Sequence, residues 1–577
     1  YFNGEEIQEK LEQSKKIFRR NLKAGKNEVI ISMKNIDRFS FGFYLYDNKR
    51  VEMTFEFVDQ SNKPIPFANF VLRGDDYLRS NGSSDQNGNA ESLFEVRGQE
   101  EDFILFVGAI FILFNACSTA TSSQKEMISK TEIEEEKYRP SFHFTPENNW
   151  MNDPNGMFYL NGTFHLYFQH HPESNVWGPM HWGHATSEDL LNWQEHPIAL
   201  YPDDLGTIFS GSAVVDFQNT SGLGSLENPP IVAIYTNHDA EAAEGGSERF
   251  QTQGIAYSLD EGHSWTKYKN NPVIENPGIR DFRDPKVFWM DSQKKWILTL
   301  AAGQETQFFS SPNLIEWTFL SSFGKGIGNH EGVWECPDLF ELKVNGSEET
   351  KWVHLVSINP GGPNGGSATQ YFVGDFDGIN FTLDPNFKTE MEKAHHFWTD
   401  FGKDNYAGVT FSNWKDQKGN PLFLGWMSNW QYATKVPTFK WRSSMTLART
   451  LELFKTVNGF RLKSSLFMDS EKVTEKKVKI KETTIGEGKM IVDEKGIKLT
   501  SAKIKIDLKN IEENTYTFVL ANQAGDSLLF GYDHRQKQFF IDRSNSGAVD
   551  FSEDFSESTW LTSFFFSDWN SDFFETN

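Results

Sequence analysis

A phrase made of serine, a polar turn and an aromatic ring returns four times between residues 141 and 455. The copies are Ser187-Glu-Asp-Leu-Leu-Asn-Trp193, Ser258-Leu-Asp-Glu-Gly-His-Ser-Trp265, Ser311-Pro-Asn-Leu-Ile-Glu-Trp317 and, with a different opening and Phe in the ring position, Gly374-Asp-Phe-Asp-Gly-Ile-Asn-Phe381. Their rings are 72, 52 and 64 residues apart. Self-similarity at such a period marks an architecture in which each unit buries its apolar face against a neighbour. Short β-type runs fill the intervals, so each phrase reads as a hairpin turn whose polar side chains close the bend and whose ring packs against the next sheet. Four-stranded sheets around a channel consume about this length, and about 310 residues at about 62 each gives five. The spacing predicts an all-β chain with a five-bladed β-propeller over 141–455.

The flanks differ in pattern. Ile7, Leu11, Phe18 and Leu22 lie at helical spacing with Gly25 just beyond, which predicts an amphipathic helix over 5–23. β-type runs follow at 28–33, 40–46 and 50–58, so residues 1–102 form a small β-rich module. About 50 of these residues resemble a carboxypeptidase-regulatory-type β-sandwich, which implies attachment or spacing rather than chemistry. Residues 118–140 read as a solvated linker. Beyond 456 the alternation in Tyr516–Ala521 and Ser527–Tyr532 predicts a C-terminal β-sandwich over 456–577. Its last stretch, rich in serine and aromatic residues, lacks period two, so the sandwich is expected to be incomplete.

Residues 103–114 are an uninterrupted apolar run of twelve, too short for a bilayer span of about 20 residues. Asn115-Ala116-Cys117-Ser118 follows, and the segment 103–117 resembles a bacterial lipoprotein signal with Cys117 as the lipidated residue. The position deep in the chain, behind Glu100, Glu101 and Asp102, leads to the expectation that residues 1–102 are joined to a secreted lipoprotein. The main body is then expected outside the cytoplasm, in the periplasm or at the cell surface, anchored by lipid.

Composition narrows the chemistry. With 80 acidic against 56 basic residues the net charge is −24, which offers no field for a phosphate backbone and excludes nucleic acid as a partner. Two cysteines, Cys117 and Cys336, supply neither a disulfide framework nor a zinc cluster. Adjacent histidines such as His170-His171 and His395-His396 point to opposite faces of a strand, so no shared metal is expected there and no cofactor is predicted. The chain carries 52 Phe, 17 Trp and 16 Tyr at a mean hydropathy of −0.54, which suits a polar, ring-lined site.

Three carboxylates have unusual settings. Asp153 stands among turn formers in Trp150-Met-Asn-Asp-Pro-Asn-Gly156, Asp284 follows Arg283 in Phe282-Arg-Asp-Pro285, and Glu335 lies between Trp334 and Cys336. An apolar wall disfavours the carboxylate form and would suit Glu335 to general-acid work. The three fall in separate predicted blades, and a propeller can gather them at its axis.

These phrases, with Phe209-Ser-Gly-Ser-Ala213, Trp334–Asp338, Asp400-Phe-Gly-Lys-Asp-Asn-Tyr-Ala407 and Trp426-Met-Ser-Asn-Trp430 leading to Trp441-Arg442, resemble glycoside hydrolase family 32, the β-fructosidases, over residues 141–545. The resemblance implies a propeller followed by a β-sandwich, retaining hydrolysis of β-fructosyl bonds in fructan or sucrose, and no metal. It implies Asp153 as nucleophile, Glu335 as general acid/base and Asp284 as transition-state stabiliser. It further suggests Asn152, Gln169, Trp177, Phe209, Ser210 and Arg283 as lining of the first sugar subsite, with rings against sugar CH groups and polar groups on hydroxyls. Arg283 is expected to hold Asp284 anionic. Trp426, Trp430 and Trp441 are expected to pack the blades. Two other readings are a fructosyltransferase and a propeller that binds fructan without cleaving it.

Overall fold

The computed structural model describes residues 136–394, 396–468, 502–512 and 514–556, short stretches between 474 and 484, and the backbone of strands before 109 and at 559–561. The helix expected over 5–23, Cys117 and His395 lie outside the described residues. The chain forms two compact units, Tyr1–Ser122 and Ser123–Asn577.

In the first unit, β1 (Lys26–Ser32), β2 (Phe39–Leu45), β3 (Arg50–Val58), β4 (Asn69–Arg73), β5 (Leu78–Ser83), β6 (Asn89–Glu95) and β7 (Glu101–Gly108) make two sheets. Their orders are β1-β3-β6, with β1 parallel to β3, and β2-β7-β4-β5. The three runs expected at 28–58 fall on β1 to β3, and the apolar run that begins at Phe103 enters β7 as far as Gly108.

The second unit takes its sheets in chain order. Strands β8 (Asn149–Leu160), β9 (Thr163–His171), β10 (His181–Ser187) and β11 (Gln194–Leu200) form the first. The second holds β12 (Thr207–Val215), β13 (Ile231–His238), β14 (Gln251–Ser258) and β15 (Thr266–Lys267). The third holds β16 (Phe282–Met290), β17 (Lys295–Ala302), β18 (Glu305–Ser311) and β19 (Thr318–Phe323). The fourth holds β20 (Val333–Lys343), β21 (Thr350–Asn359), β22 (Ala368–Phe376) and β23 (Phe381–Leu383). A fifth group, β24 (Tyr406–Lys415), β25 (Pro421–Trp426), β27 (Arg449–Thr456) and β28 (Gly459–Leu466), is bridged in parallel from β24 to β8, so it and the first group make one nine-stranded sheet in which β26 (Trp441–Arg442) also pairs with β8. Strand β28 carries this sheet past residue 455.

Neighbouring first strands pack in a cycle: β8 meets β12, β12 meets β16, β16 meets β20, β20 meets β24, and β24 returns to β8. Sheets covered on both faces need strands apolar on both faces, and Ile231-Val-Ala-Ile-Tyr235 is such a run, buried throughout. Apolar clusters fill each seam. Phe158, Tyr167 and Trp182 meet Ile208 and Tyr235 between the first two sheets, and Ile234 and Ile255 meet Val287 and Leu298 between the next two. Each fully buried side chain of this kind contributes about 1.5–3 kcal/mol.

The repeated phrase is the hairpin between the third and fourth strands of the first four sheets. Ser187, Ser258 and Ser311 accept backbone N–H bonds from Leu190, Gly262 and Asn313 at 2.8, 2.9 and 3.1 Å. Asp377 does the equivalent work in the fourth copy, accepting from Ile379 and Asn380. Two rings lean on the preceding sheet, not the next one as expected: Trp265 meets Tyr167 at 5.6 Å and Phe381 meets Phe323 at 4.9 Å. In the first three copies the indole N–H bonds back three residues to its own turn, so the ring folds toward the bend.

After Leu466 the described residues hold one more antiparallel sheet, β29 (Thr515–Ala521), β30 (Ser527–Asp533), β31 (Gln538–Asn545) and β32 (Thr559–Leu561). Arg543 of β31 ties it to the segments before β24 and after β25 through Asp404 at 2.5 Å and the Tyr432 hydroxyl at 2.8 Å.

Candidate active site

All five first strands slip register against their second strands near the start. The shifts lie between Met151 and Pro154, Ile208 and Gly211, Arg283 and Lys286, Glu335 and Asp338, and Tyr406 and Val409. A bulge bends the strand and re-aims a side chain. Pro285 and Pro337 lie within two of these bulges, where a residue without an N–H costs the ladder nothing, and Pro154 bounds a third. Asp284, Cys336 and Ala407 take φ of +65°, +45° and +53°. Such left-handed backbone is uncommon outside glycine and concentrates at functional sites. Gly156, at φ +56°, has Trp182 so close that a Cβ would lie 2.6 Å from its ring.

The bulges bring the three carboxylates together. Asp153 accepts from Ser210 Oγ at 2.7 Å and Asn152 Nδ2 at 3.0 Å, and the Asn152 amide is oriented by Trp150 Nε1 at 2.7 Å. Asp284 Oδ2 accepts from the Cys336 amide at 3.0 Å, and the Asp284 amide donates to Thr236 Oγ1 at 3.0 Å. The Cys336 sulfur lies 3.6 Å from Oδ2 of both Asp153 and Asp284. Glu335 Oε1 accepts from Arg283 at 2.9 and 3.2 Å, and its Oε2 accepts from the Tyr406 hydroxyl. Arg283 also bonds Asp281 at 2.6 Å and stands 4.0 Å from Asp284. Strands β8, β12, β16, β20 and β24 thus each supply a side chain to one network. Pro154, Ser210, Asp284, Cys336 and Val409 line a common cavity.

A buried pair braces the network. Thr410 donates from its amide and hydroxyl to Asp338 at 2.7 Å each, while Lys286 bonds the Thr410 carbonyl and stands 3.7 Å from Asp338. Strands β16, β20 and β24 are locked together at this point.

Asp281, Asp284 and Glu335 lie around the Arg283 guanidinium, and Asp153 reaches the group through the Cys336 sulfur. Burial, then the charge of Glu335, pushes Asp153 above the ordinary carboxylate range, while Asn152, Ser210 and Cys336 oppose the rise. Burial pushes Asp284 up to about 7, with Arg283 pulling the other way. Arg283 favours the Asp284 anion as expected, but desolvation of an almost fully buried carboxyl acts against it and is the larger influence. Burial disfavours the charge on Arg283, but Glu335, Asp284 and Asp281 outweigh it and hold the guanidinium above its ordinary value. Burial and the neighbouring carboxylates also push up Tyr406 and Cys336, so both stay protonated.

Glu335 does not face the apolar wall expected of it. Alternate residues of a strand point to opposite faces, and the Trp334 indole turns to the Asn329 carbonyl at 2.8 Å. The Glu335 carboxylate meets a guanidinium and a phenol instead.

Of the residues expected to line a sugar, Asn152, Ser210 and Arg283 lie directly on the carboxylates. Gln169 is buried and donates to the Ile208 carbonyl at 3.0 Å. Trp177 is 41% exposed and meets Phe209 edge-on at 6.1 Å, while Phe209 stacks on His238 at 4.1 Å. Trp426 and Trp441 are buried, and Trp426 packs with Trp150 and Trp430 at 6.1 and 5.0 Å, as expected of packing residues. Tyr406 and Asp281 were not singled out from sequence. The signal for Tyr406 was its place in the Asp400–Ala407 phrase. Asp281 had only its proximity to Arg283.

A family model described as "Glycosyl hydrolases family 32 N-terminal domain" matches residues 143–464. The chain is 46% identical over 426 residues to a levanase of Bacillus subtilis (strain 168), covering 73% of this chain and 60% of that protein's length. It is 40% identical over 453 residues to an extracellular exo-inulinase of Aspergillus niger, covering 73% and 82%. The solved structure of a fructofuranosidase from Schwanniomyces occidentalis complexed with fructose superposes with a TM-score of 0.63 at 38% identity, covering 74% of this chain and 85% of that one.

Proposed function

We propose that this chain, which belongs to glycosyl hydrolase family 32, is a glycoside hydrolase that cleaves β-fructosyl linkages in fructans or sucrose by double displacement. One observation carries the reading: Asp153 of β8, Asp284 of β16 and Glu335 of β20 converge through one sulfur and one guanidinium.

In the first step Asp153 attacks the anomeric carbon C2 as the bond to the leaving oxygen breaks, and Glu335 gives that oxygen its proton. In the second step Glu335 takes a proton from water, the water oxygen bonds C2, and Asp153 is released. Asn152 and Ser210 aim the attacking carboxylate. Arg283 and Tyr406 hold Glu335 from both of its oxygens. Asp284, when ionised, faces the cationic charge that develops on the ring. Trp177 and Phe209 cover sugar CH groups, and Asn152, Gln169, Ser210 and Arg283 take hydroxyls.

The same reading takes the five strand groups as blades of a five-bladed propeller around their first strands, over 141–455 and extended by β28 to Leu466. The β29–β32 sheet is then part of a β-sandwich. It also places the protein outside the cytoplasm, with a lipid on Cys117. Residues 1–102 form the module ahead of that anchor and 118–140 the linker behind it.

Purified protein incubated separately with sucrose, inulin and levan, and analysed by chromatography, is expected to release fructose from at least one. In methanol the methyl fructoside formed should keep the β configuration. Release from none of the three sinks the proposal, and an inverted product sinks the mechanism.

A further inference from the structure

Away from the carboxylates, four histidines gather where the first sheet meets the second. His165 lies on β9, His184 on β10, His196 on β11 and His263 in the turn between β14 and β15. His184 and His196 are cross-strand partners and so project from the same face. One ring nitrogen from each of His184, His196 and His263 lies within 4.8 Å of those of the other two. The turn that carries His263 is clamped to the first sheet by Tyr167, whose hydroxyl donates to the Gly262 carbonyl at 2.7 Å.

Packing alone leaves the cluster unexplained in two respects. His184 is 1% exposed and its Nδ1 is buried with no hydrogen-bond partner, an expensive state for a polar atom. The repeated turn phrase needs its serine, its Asp or Asn and its ring, but no histidine, and the other three copies have none. The remaining contacts resemble those that orient metal-bound imidazoles. His184 Nε2 meets His165 Nδ1 at 3.2 Å, and His196 Nε2 meets Thr186 Oγ1 at 2.7 Å.

We propose that His184, His196 and His263 bind a divalent cation of the zinc class, with solvent in the fourth position, and that the cation staples the first sheet to the turn of the second. Three neutral imidazoles select late first-row metals over calcium or magnesium. Zinc–nitrogen bonds of about 2.0–2.1 Å draw tetrahedral donors to about 3.3 Å apart. His263 is exposed on a turn and is the side chain that swings in. The site is made by residues distant in sequence, and it does not depend on the hydrolytic reading.

The test uses the full chain, stripped of metal by chelation and titrated with Zn²⁺ alone by calorimetry, with melting followed in parallel. The native protein is expected to bind an equivalent of Zn²⁺ that His263→Ala and His196→Ala bind at least tenfold more weakly. Zn²⁺ should raise the native Tm by a few degrees, and that rise should be lost in both variants while their metal-free Tm stays near native. His263→Cys, which restores a zinc ligand, should recover binding. Unchanged Zn²⁺ affinity in both alanine variants, or no binding by the native chain, overturns the proposal.

Discussion

The phenol of Tyr406 donates to Oε2 of Glu335, joining β24 to β20 across 71 residues of sequence. With Arg283 on the other oxygen, this contact fixes the plane of the carboxyl that must reach the leaving oxygen. Tyr406→Phe keeps the ring and removes the donor. A hydrogen bond to a charged group is worth about 1.5–3 kcal/mol, so kcat/KM for sucrose is expected to fall by about 10- to 100-fold. Steady-state rates on sucrose check this, and a native value would dismiss the contact as packing.

Asp153 and Glu335 should separate by leaving group. Asp153→Asn removes the attacking atom and is expected to cost about 10⁴-fold or more on every β-fructoside. Glu335→Gln should slow sucrose or fructan by about 10²- to 10⁴-fold. Aryl fructosides should suffer less, because their oxygen departs without full protonation. Rates on both substrate types decide it: equal losses in Glu335→Gln count against the acid role, and near-native rates in Asp153→Asn count against the nucleophile.

What could be read from the chain was whatever is written locally. The Ser…Trp phrases appear as outer hairpins because serine and Asp or Asn close such turns through their own backbone. Asp153 stands out among turn formers, and Asp284 and Glu335 as charges beside apolar or ring residues; Pro285 and Pro337, just beyond the latter two, lie in bulges. The partners were hidden. Tyr406 reaches Glu335, Thr236 reaches Asp284 and Ser210 reaches Asp153 only once separate sheets meet. The upward push on the Asp284 carboxyl is hidden for the same reason. Adjacency to Arg283 is visible in sequence, but the desolvation that outweighs it belongs to the packed centre. The histidine cluster has no motif at all, since its members come from three strands and a turn.

Ser210 should tune the acid limb of the pH profile. Burial and then Glu335 push Asp153 upward, while Ser210 holds it down through a 2.7 Å bond to the charged form. Ser210→Ala removes that restraint, so the nucleophile loses its proton at higher pH. The acid limb of kcat/KM is expected to move to higher pH. Rates measured between pH 3 and 8 check the shift, and a limb that stays in place or moves down contradicts the assignment.

Asp284 should carry a stability penalty that its removal relieves. Asp284 is 5% exposed, and burial pushes its carboxyl up from an ordinary 3.8 to about 7. Between those values the folded state holds a proton that the unfolded state has released. Stability therefore falls as pH rises through that window. Asp284→Asn preserves an oxygen to accept from the Cys336 amide but carries no charge. Its melting temperature should vary less than the native one between pH 4 and 7, and at pH 7 it should be the more stable protein by a few kcal/mol. Hydrolysis should fall by about 10²- to 10³-fold, because the group facing the developing cation is gone. Thermal unfolding across this pH range, run beside sucrose turnover, measures both effects. A variant less stable than native at pH 7 would mean that Arg283 more than compensates the buried charge, and the reading of this carboxyl would have to be reversed.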